Sequence, residues 1–354
     1  MPRHFLTLPL AFCLAAACAA AAGAGRVQTH RLSDSSRDAA SGFFATPFLG
    51  YIPGSAPNQL RPLLGIPGAA RVGQALLFPD SVTLLHLSPQ DRYALVEQSP
   101  DSPIGIALLA PDRIHLSAGG TADPISVSTL PHALPAADLA AFSPSGSACV
   151  LYSSASGRLQ VWSGLPDSPR LALDAAASDW GVEPRLLAVS DDARALLAAD
   201  ASGRIYLLPA GASPVPLHTS PAVSALTFLP AGADAVVADR SLNTLVLLRQ
   251  VNGNFSLAPL ASESDGLAEP DFAEATADAR AVLVASADHT RLWEVPLSSG
   301  SPVSIDLPIS PASLHRLPGA AFLLSSAENQ PAWIFEGQPD HSSVYFVPNE
   351  VSPR

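Results

Sequence analysis

The chain has 354 residues, of which 48% are hydrophobic and 14% charged, and its formal net charge is −12. This composition supports a large folded core and excludes the polar, highly charged class of disordered proteins. Because the 19 basic residues are all arginine, mechanisms that need a lysine are excluded. No basic run follows the N-terminal segment, so we expect neither nucleic acid nor a membrane surface to bind the folded domain.

The first 24 residues have the order of a secretory signal. Arg3 supplies the charge, 5–17 is apolar and 19–25 consists of small residues. We therefore predict a signal peptide over 1–24 and an exported protein, periplasmic or extracellular. Two alternatives stay open: an uncleaved anchor formed by the apolar stretch, and a lipid anchor at Cys18, whose preceding alanines partly match a bacterial lipobox.

Residues 25–42 are polar and aperiodic, which predicts a flexible mature N-terminus. From residue 43 onward, short apolar runs alternate with clusters of Pro, Gly, Ser and Asp, a pattern typical of many short antiparallel strands. Within it, one turn pattern recurs at spacings of about 40 to 55 residues, near the length of one propeller blade. These recurring turns lie at 87–89, 142–146, 189–192, 228–232, 275–278 and 316–319.

One such unit cannot bury both faces of its small sheet, so the units must stack around an axis. We predict an all-β fold over 43–350, a single β-propeller domain of four-stranded antiparallel blades. The recurring turns, with two further strands ahead of them, predict seven blades of which the first is incomplete. A six-bladed ring is the alternative.

Two segments, 154–162 and 286–293, each contain a small polar turn followed by a strand that ends in tryptophan. Both resemble the corresponding segment of WD40 repeats, although Ser163 and Glu294 stand where that family has Asp and its opening Gly-His dipeptide is missing. The chain is thus WD40-like. It also resembles the exported bacterial propellers grouped as quinoprotein-like and lactonase-like, without residues specific to their enzymes.

Motifs that carry chemistry are absent from the sequence: it has no G-x-S-x-G elbow, H-E-x-x-H helix, C-x-x-C pair or G-x-G-x-x-G loop. Its nine histidines include no pair spaced for one metal ion. We therefore assign no catalytic residue, metal ligand or cofactor. A carboxylate follows the second strand in four successive units, where a turn-forming role is favoured over a carboxylate ring: Asp200, Asp239, Asp288 and Glu328.

Two acidic links between blades, 174–184 and 262–274, offer the best candidate binding surface. The candidate residues are Asp179, Trp180, Glu183, Glu263, Asp265, Glu269 and Asp271. A tryptophan beside carboxylates can stack on a sugar or hold a cationic peptide. The competing interpretation is that the acidic links are merely solvated and Trp180 fills a gap between blades.

Two function classes follow from these patterns. The favoured one is an exported, non-catalytic, monomeric propeller that binds a protein, peptide or glycan through one loop face. The alternative is a propeller enzyme, a hydrolase, lactonase or quinone-dependent dehydrogenase, with its site in the axial channel. An enzyme should show carboxylates, His or Arg clustered at one channel mouth with shifted pKa values, whereas a binder should show a wide loop-lined patch.

Overall fold

The computed structural model describes residues 47–98, 102–109, 125–230, 232–298, 300–325, 331–338 and 341–348. The predicted signal peptide and flexible N-terminus lie outside these ranges. The described residues form 28 strands and three short 3-10 turns, Pro89–Asp91, Ala177–Asp179 and Glu263–Asp265. None of the helical segments among them is long and apolar enough to span a bilayer.

Seven four-stranded antiparallel sheets succeed one another along the chain, each made of four consecutive strands. The fold is therefore the predicted propeller, with seven blades. Blades 1 to 3 comprise β1 (Phe48–Pro53), β2 (Gln59–Leu64), β3 (Arg71–Val72), β4 (Leu76–Leu77), β5 (Leu84–Leu87), β6 (Tyr93–Glu97), β7 (Gly105–Leu108), β8 (Ser128–Thr129), β9 (Leu139–Phe142), β10 (Ala148–Ser153), β11 (Arg158–Ser163) and β12 (Arg170–Ala176).

Blades 4 to 7 comprise β13 (Pro184–Val189), β14 (Leu196–Asp200), β15 (Arg204–Leu207), β16 (Val215–Thr219), β17 (Val223–Phe228), β18 (Ala235–Asp239), β19 (Thr244–Arg249), β20 (Ser256–Ala261), β21 (Phe272–Ala275), β22 (Ala281–Ala285), β23 (Arg291–Pro296), β24 (Val303–Asp306), β25 (His315–Arg316), β26 (Ala321–Ser325), β27 (Ala332–Gln338) and β28 (His341–Val347). Blade 1 is the irregular one. Its short strands β3 and β4 both pair with β2, at different places along that strand.

Side chains on the inner strands alternate between the two neighbouring blades. In β10, Ala148 and Val150 pack against blade 4, while Cys149 and Leu151 pack against blade 2. Each of the seven interfaces between blades has its own apolar cluster of this kind. Strands buried on both faces explain the nearly continuous apolar runs of the sequence.

Cys149 fits this packing as an inert core residue. Its thiol is free and fully buried, and burial raises its pKa above the ordinary value. A thiol that keeps its proton is a poor nucleophile, as its apolar strand pattern predicts.

The recurring turn of the sequence is the connection between the first and second strands of a blade. In four blades a hydroxyl there accepts a hydrogen bond from the backbone N–H five residues later, at 3.0 to 3.1 Å. The hydroxyls belong to Ser88, Ser143, Ser190 and Thr276. This side-chain bond closes the turn, which is why a hydroxyl residue recurs at that position.

An antiparallel meander sends its connections to two opposite faces of the ring. We call the face with the first-to-second and third-to-fourth strand turns the turn face; it includes Pro89–Asp91. The opposite face, which carries the links between blades, is the link face. There, Ala177 donates its N–H to Gly157 of a second-to-third strand turn, and Glu269 donates its N–H to the Asn243 side chain in another.

Candidate functional site in the axial channel

A cavity of about 290 Å³ lies on the propeller axis, walled by residues of the innermost strands β9, β13, β17, β21 and β25. The sequence explains why it is hollow. At the position immediately before the recurring turn, blades 3 to 5 have the small residues Ala141, Ala188 and Thr227, whereas blades 6 and 7 have Glu274 and His315. Small side chains leave space on one side of the axis, and the other side is charged.

A buried carboxylate holds His315 in place. Nε2 of His315 lies 2.8 Å from Oδ1 of Asp91, whose side chain is completely buried. The other oxygen, Oδ2, accepts the backbone N–H of Tyr51 at 2.7 Å. Asp91 therefore fixes the orientation of the imidazole ring, as carboxylates do for functional histidines, and it joins blade 2 to blades 1 and 7.

Two opposing effects set the protonation of His315. Burial disfavours the imidazolium, but the hydrogen bond and charge of Asp91 and the charge of Glu274 favour it more strongly, so the pKa of His315 lies above its usual value. The ring also lines the cavity. It can therefore present a positive charge, or a transferable proton, to a bound molecule.

Arg316 adds a second cation to the cavity wall. The residue is only 3% exposed, and its Nη2 donates a hydrogen bond to the carbonyl oxygen of Pro144, across the channel in blade 3. Its Nε has no hydrogen-bond partner among the described residues. None of their carboxylates lies within ion-pairing distance of the guanidinium. The charge is therefore buried without a counter-ion in contact.

Glu274 faces the same cavity from β21. Burial raises the pKa of its carboxyl, and the positive charges of Arg316 and His315 only partly offset that effect. None of the described donors hydrogen-bonds to this carboxyl. We call Asp91, Glu274, His315 and Arg316 the channel cluster. It brings an oriented imidazole, an unmatched guanidinium and a carboxyl of raised pKa into one small space.

The channel cluster matches what we expect from the sequence of a propeller enzyme rather than of a binder: carboxylates, His and Arg at one channel mouth, with shifted pKa values for Glu274 and His315. All four residues lie toward the turn face, because β25 ends at Arg316 and Asp91 belongs to the turn after β5. Across the ranges that the structure describes, no three His, Cys, Asp or Glu side chains are grouped to hold a metal ion. The side chains that line the cavity can bind ions and transfer protons.

The first predicted link lies where expected, on the link face. Asp179 and Glu183 are exposed, whereas Trp180 is half-buried and packs against the cluster between blades 3 and 4 that contains Ala177 and Val182. Trp180 thus fills a gap between blades with part of its ring and leaves part of it accessible. The structure is therefore compatible with both interpretations of Trp180, as a ligand contact and as a residue that fills the gap between blades.

In the second predicted link, several carboxylates already have partners. Asp265 caps its own 3-10 turn through Ser262, and Glu263 is exposed. Asp271 lies 2.7 Å and Glu269 3.9 Å from the guanidinium of Arg240. Part of the negative charge of this link is therefore neutralised within the protein.

The structure thus places both links on one face, separated by blades 4 and 5, and no hydrogen bond or ion pair between described residues connects them. Their role in binding stays a prediction. For two of the turn aspartates the structural role is confirmed. Asp200 accepts the N–H of Ser202 at 2.8 Å, and Asp239 accepts that of Leu242 at 2.8 Å.

Sequence reasoning missed the channel cluster, although one signal was present. The first residue of the recurring turn is apolar in the other five blades that have this turn, as at Phe142, Val189 and Phe228, but it is Arg316 in blade 7. A charged residue at a position that is otherwise buried indicates a special role. Asp91 could not be found in this way, because it lies inside the turn of blade 2.

No sequence profile of a known protein family matches the chain. The curated proteins contain no matching sequence either. The resemblance to exported quinoprotein-like and lactonase-like propellers therefore stays a prediction.

Solved structures are similar in fold. Hsv2 of Kluyveromyces lactis has a TM-score of 0.50 and 11% identity, over 87% of this chain and all of that one. A functionally unknown protein from Desulfotomaculum acetoxidans has a TM-score of 0.51 and 11% identity, over 86% and 100% of the two chains. Dihydro-heme d1 dehydrogenase NirN matches at a TM-score of 0.42 and 22% identity, over 71% of this chain and half of its own. At these identities the likeness concerns the fold alone.

Proposed function

We propose that the axial cavity binds a small ligand through an anionic group, with Arg316 as the counter-charge. The observation that carries this proposal is the buried guanidinium in the cavity wall, which has a neutral carbonyl as its hydrogen-bond acceptor and no carboxylate in contact. A buried charge is unfavourable unless it is matched. An incoming carboxylate or comparable anion would match it.

The neighbouring groups favour the same ligand class. His315 is held by Asp91 and can add positive charge, while Glu274, whose pKa is raised by burial, can donate a hydrogen bond when it is protonated. The cavity volume of about 290 Å³ is at the lower end of the range for ligand sites, so the ligand is small. Binding of this kind is common to both function classes that the sequence leaves open.

The test is a titration with small anions: acetate, benzoate, succinate, citrate, phosphate and sulfate, with neutral benzamide as the control. We expect at least one anion to bind and to raise the melting temperature of the wild-type protein, while benzamide does not. Arg316→Gln should lose at least tenfold in affinity, since removing one partner of a charged hydrogen-bonded pair costs about 2 kcal/mol or more.

Arg316→Lys keeps the charge and should retain part of the affinity. Circular dichroism checks directly that loss of binding in Arg316→Gln does not come from misfolding. The proposal is wrong if no anion in the panel binds, or if Arg316→Gln binds them as well as wild type does.

A second candidate surface is the predicted link face. The observation in its favour is that Trp180 is only half-buried and lies between the exposed carboxylates of Asp179 and Glu183 on a link held by Ala177. We propose that Glu263, Asp265, Glu269 and Asp271 on the second acidic link, two blades further along the chain, extend this surface. Its partner would be cationic or a carbohydrate, with Trp180 supplying most of the contact energy.

Trp180→Ala and Trp180→Phe, screened against glycans and basic peptides, test the second candidate. Trp180→Ala should abolish binding and Trp180→Phe should preserve part of it. Added salt should weaken the association, because exposed carboxylates attract the partner electrostatically. Equal binding by wild type and Trp180→Ala, unaffected by salt, would reject this surface.

A further inference from the structure

We infer that the channel cluster binds its anionic ligand together with a proton, and that Glu274 is the group that takes up this proton. The inference rests on the ligand site proposed above and adds how that site is regulated.

The geometry leaves Glu274 unsupported as a carboxylate. It lies in β21 of blade 6, and His315 and Arg316 lie in β25 of the adjacent blade 7, so all three line one cavity. Neither cation is within 4.0 Å of the Glu274 carboxylate, and the described residues supply it with no hydrogen-bond donor. A carboxylate that is partly removed from water normally has such partners. The environment of Glu274 therefore favours the neutral acid more than water does, and the pKa of its carboxyl is raised.

A bound anion strengthens this preference. An ionised Glu274 would repel an anion placed against Arg316, whereas the protonated acid has an O–H group that can donate to it. The two binding events must therefore assist each other: the anion favours the proton on Glu274, and the proton favours the anion by the same factor.

The other charged groups around the cavity also affect the binding of an anion. His315 faces Glu274 from blade 7 and, when protonated, also favours the anion. Asp91 lies behind His315, to which it is hydrogen-bonded. Arg316 supplies the fixed positive charge of the site. Asp271 lines the cavity at the other end of β21 but is paired with Arg240.

The experiment compares wild type with Glu274→Gln, which has the shape of the protonated acid and cannot ionise. Isothermal titration with the best-binding carboxylate of the panel, in buffers of different ionisation enthalpy, gives the protons taken up per ligand between about pH 6 and about pH 9. For wild type we expect net uptake, with affinity falling by up to about tenfold per pH unit once Glu274 ionises.

Glu274→Gln should bind at high pH at least as tightly as wild type and show a smaller pH dependence, with the remainder belonging to His315. The matched control is Glu294→Gln. Burial also raises the pKa of Glu294, which belongs to the same blade but does not line the cavity, so this variant should keep the wild-type pH dependence.

The outcomes separate the two proposals. If Glu274→Gln binds the carboxylate with the full wild-type pH dependence, or wild type takes up no proton, proton coupling at Glu274 is refuted while the anion site stands. If none of the anions binds wild type, or Arg316→Gln binds them unchanged, the site itself is refuted and the coupling with it.

Discussion

At the scale of single residues, the buried charges of this protein divide into satisfied and unsatisfied ones. Asp239 is 1% exposed and accepts hydrogen bonds from Ser220, Ser241, Ala222 and Leu242. Burial opposes its ionisation, but these bonds outweigh burial and the pKa of Asp239 lies below its usual value. Such a carboxylate stabilises the fold and has no capacity left for a ligand.

Asp239→Ala should therefore reduce the free energy of unfolding by about 2 to 4 kcal/mol, since it leaves several buried donors without an acceptor. Because the folded-state pKa is lowered, this contribution is present at neutral pH and is lost as the pH falls through that value. Urea unfolding at several pH values measures both effects. Asp200→Ala, in a more exposed turn, should have the smaller effect, and an equal loss in both variants would contradict this account.

The contribution of His315 to stability depends on pH in the opposite direction to that of Asp239. Its folded-state pKa is raised by Asp91, so the stability from this pair is fully present below the ordinary value of 6.5 and is lost as the pH rises through the folded value. The destabilisation caused by His315→Gln should therefore shrink on going from acid to alkaline pH.

His218→Gln is the control for that measurement. Burial lowers the pKa of His218, so its protonation destabilises the fold, and replacing it should become more favourable as the pH falls. Urea unfolding curves that show the same pH trend for both histidine variants would exclude the assigned role of the His315–Asp91 pair.

At the scale of elements, the blades are held together by side-chain packing between neighbours. Each blade consists of consecutive strands, so the first and last blades exchange no strand. Their interface relies on an apolar cluster that includes Leu63 and Ile334, both fully buried. Hydrogen bonds through Asp91 add a second connection, since this residue contacts Tyr51 of blade 1 and His315 of blade 7.

Leu63→Ala should destabilise the protein by about 2 to 5 kcal/mol through the cavity that it creates. The chain does not pass directly from blade 7 to blade 1, so hydrogen exchange should increase most in these two blades. Leu245→Ala is the matched control, since Leu245 is equally buried between blades 5 and 6, which the chain connects directly. If both variants lose the same stability and increase hydrogen exchange only near the substitution, the interface between blades 1 and 7 is no weaker than the others.

At the scale of the whole molecule, the proposed sites occupy different regions of one ring. The channel cluster lies toward the turn face, and the predicted acidic links lie on the link face, although Asp271 of the second link also lines the channel cavity. Variants of Trp180 and of Arg316 can test the two sites separately, because neither residue belongs to the other site.

Export also belongs to this scale. We expect the native protein to lack 1–24 and to begin near Gly25, because the small residues there suit signal cleavage. Mass spectrometry of the protein from its natural source reads the N-terminus directly. A lipid-modified Cys18 would identify the lipid-anchored alternative, and an intact N-terminal segment in the cell envelope would rule out cleavage.

The sequence by itself determined the repeat, the strand content and the seven blades, because these depend on local patterns: apolar runs, turn residues and the hydroxyl of Ser143 and its counterparts. It also indicated that Asp200 and Asp239 shape turns. The channel cluster was decided only by the tertiary structure. Asp91 and His315 are 224 residues apart, and only closure of the ring brings blades 2 and 7 together on the axis, where burial and neighbouring charge give each group its chemistry.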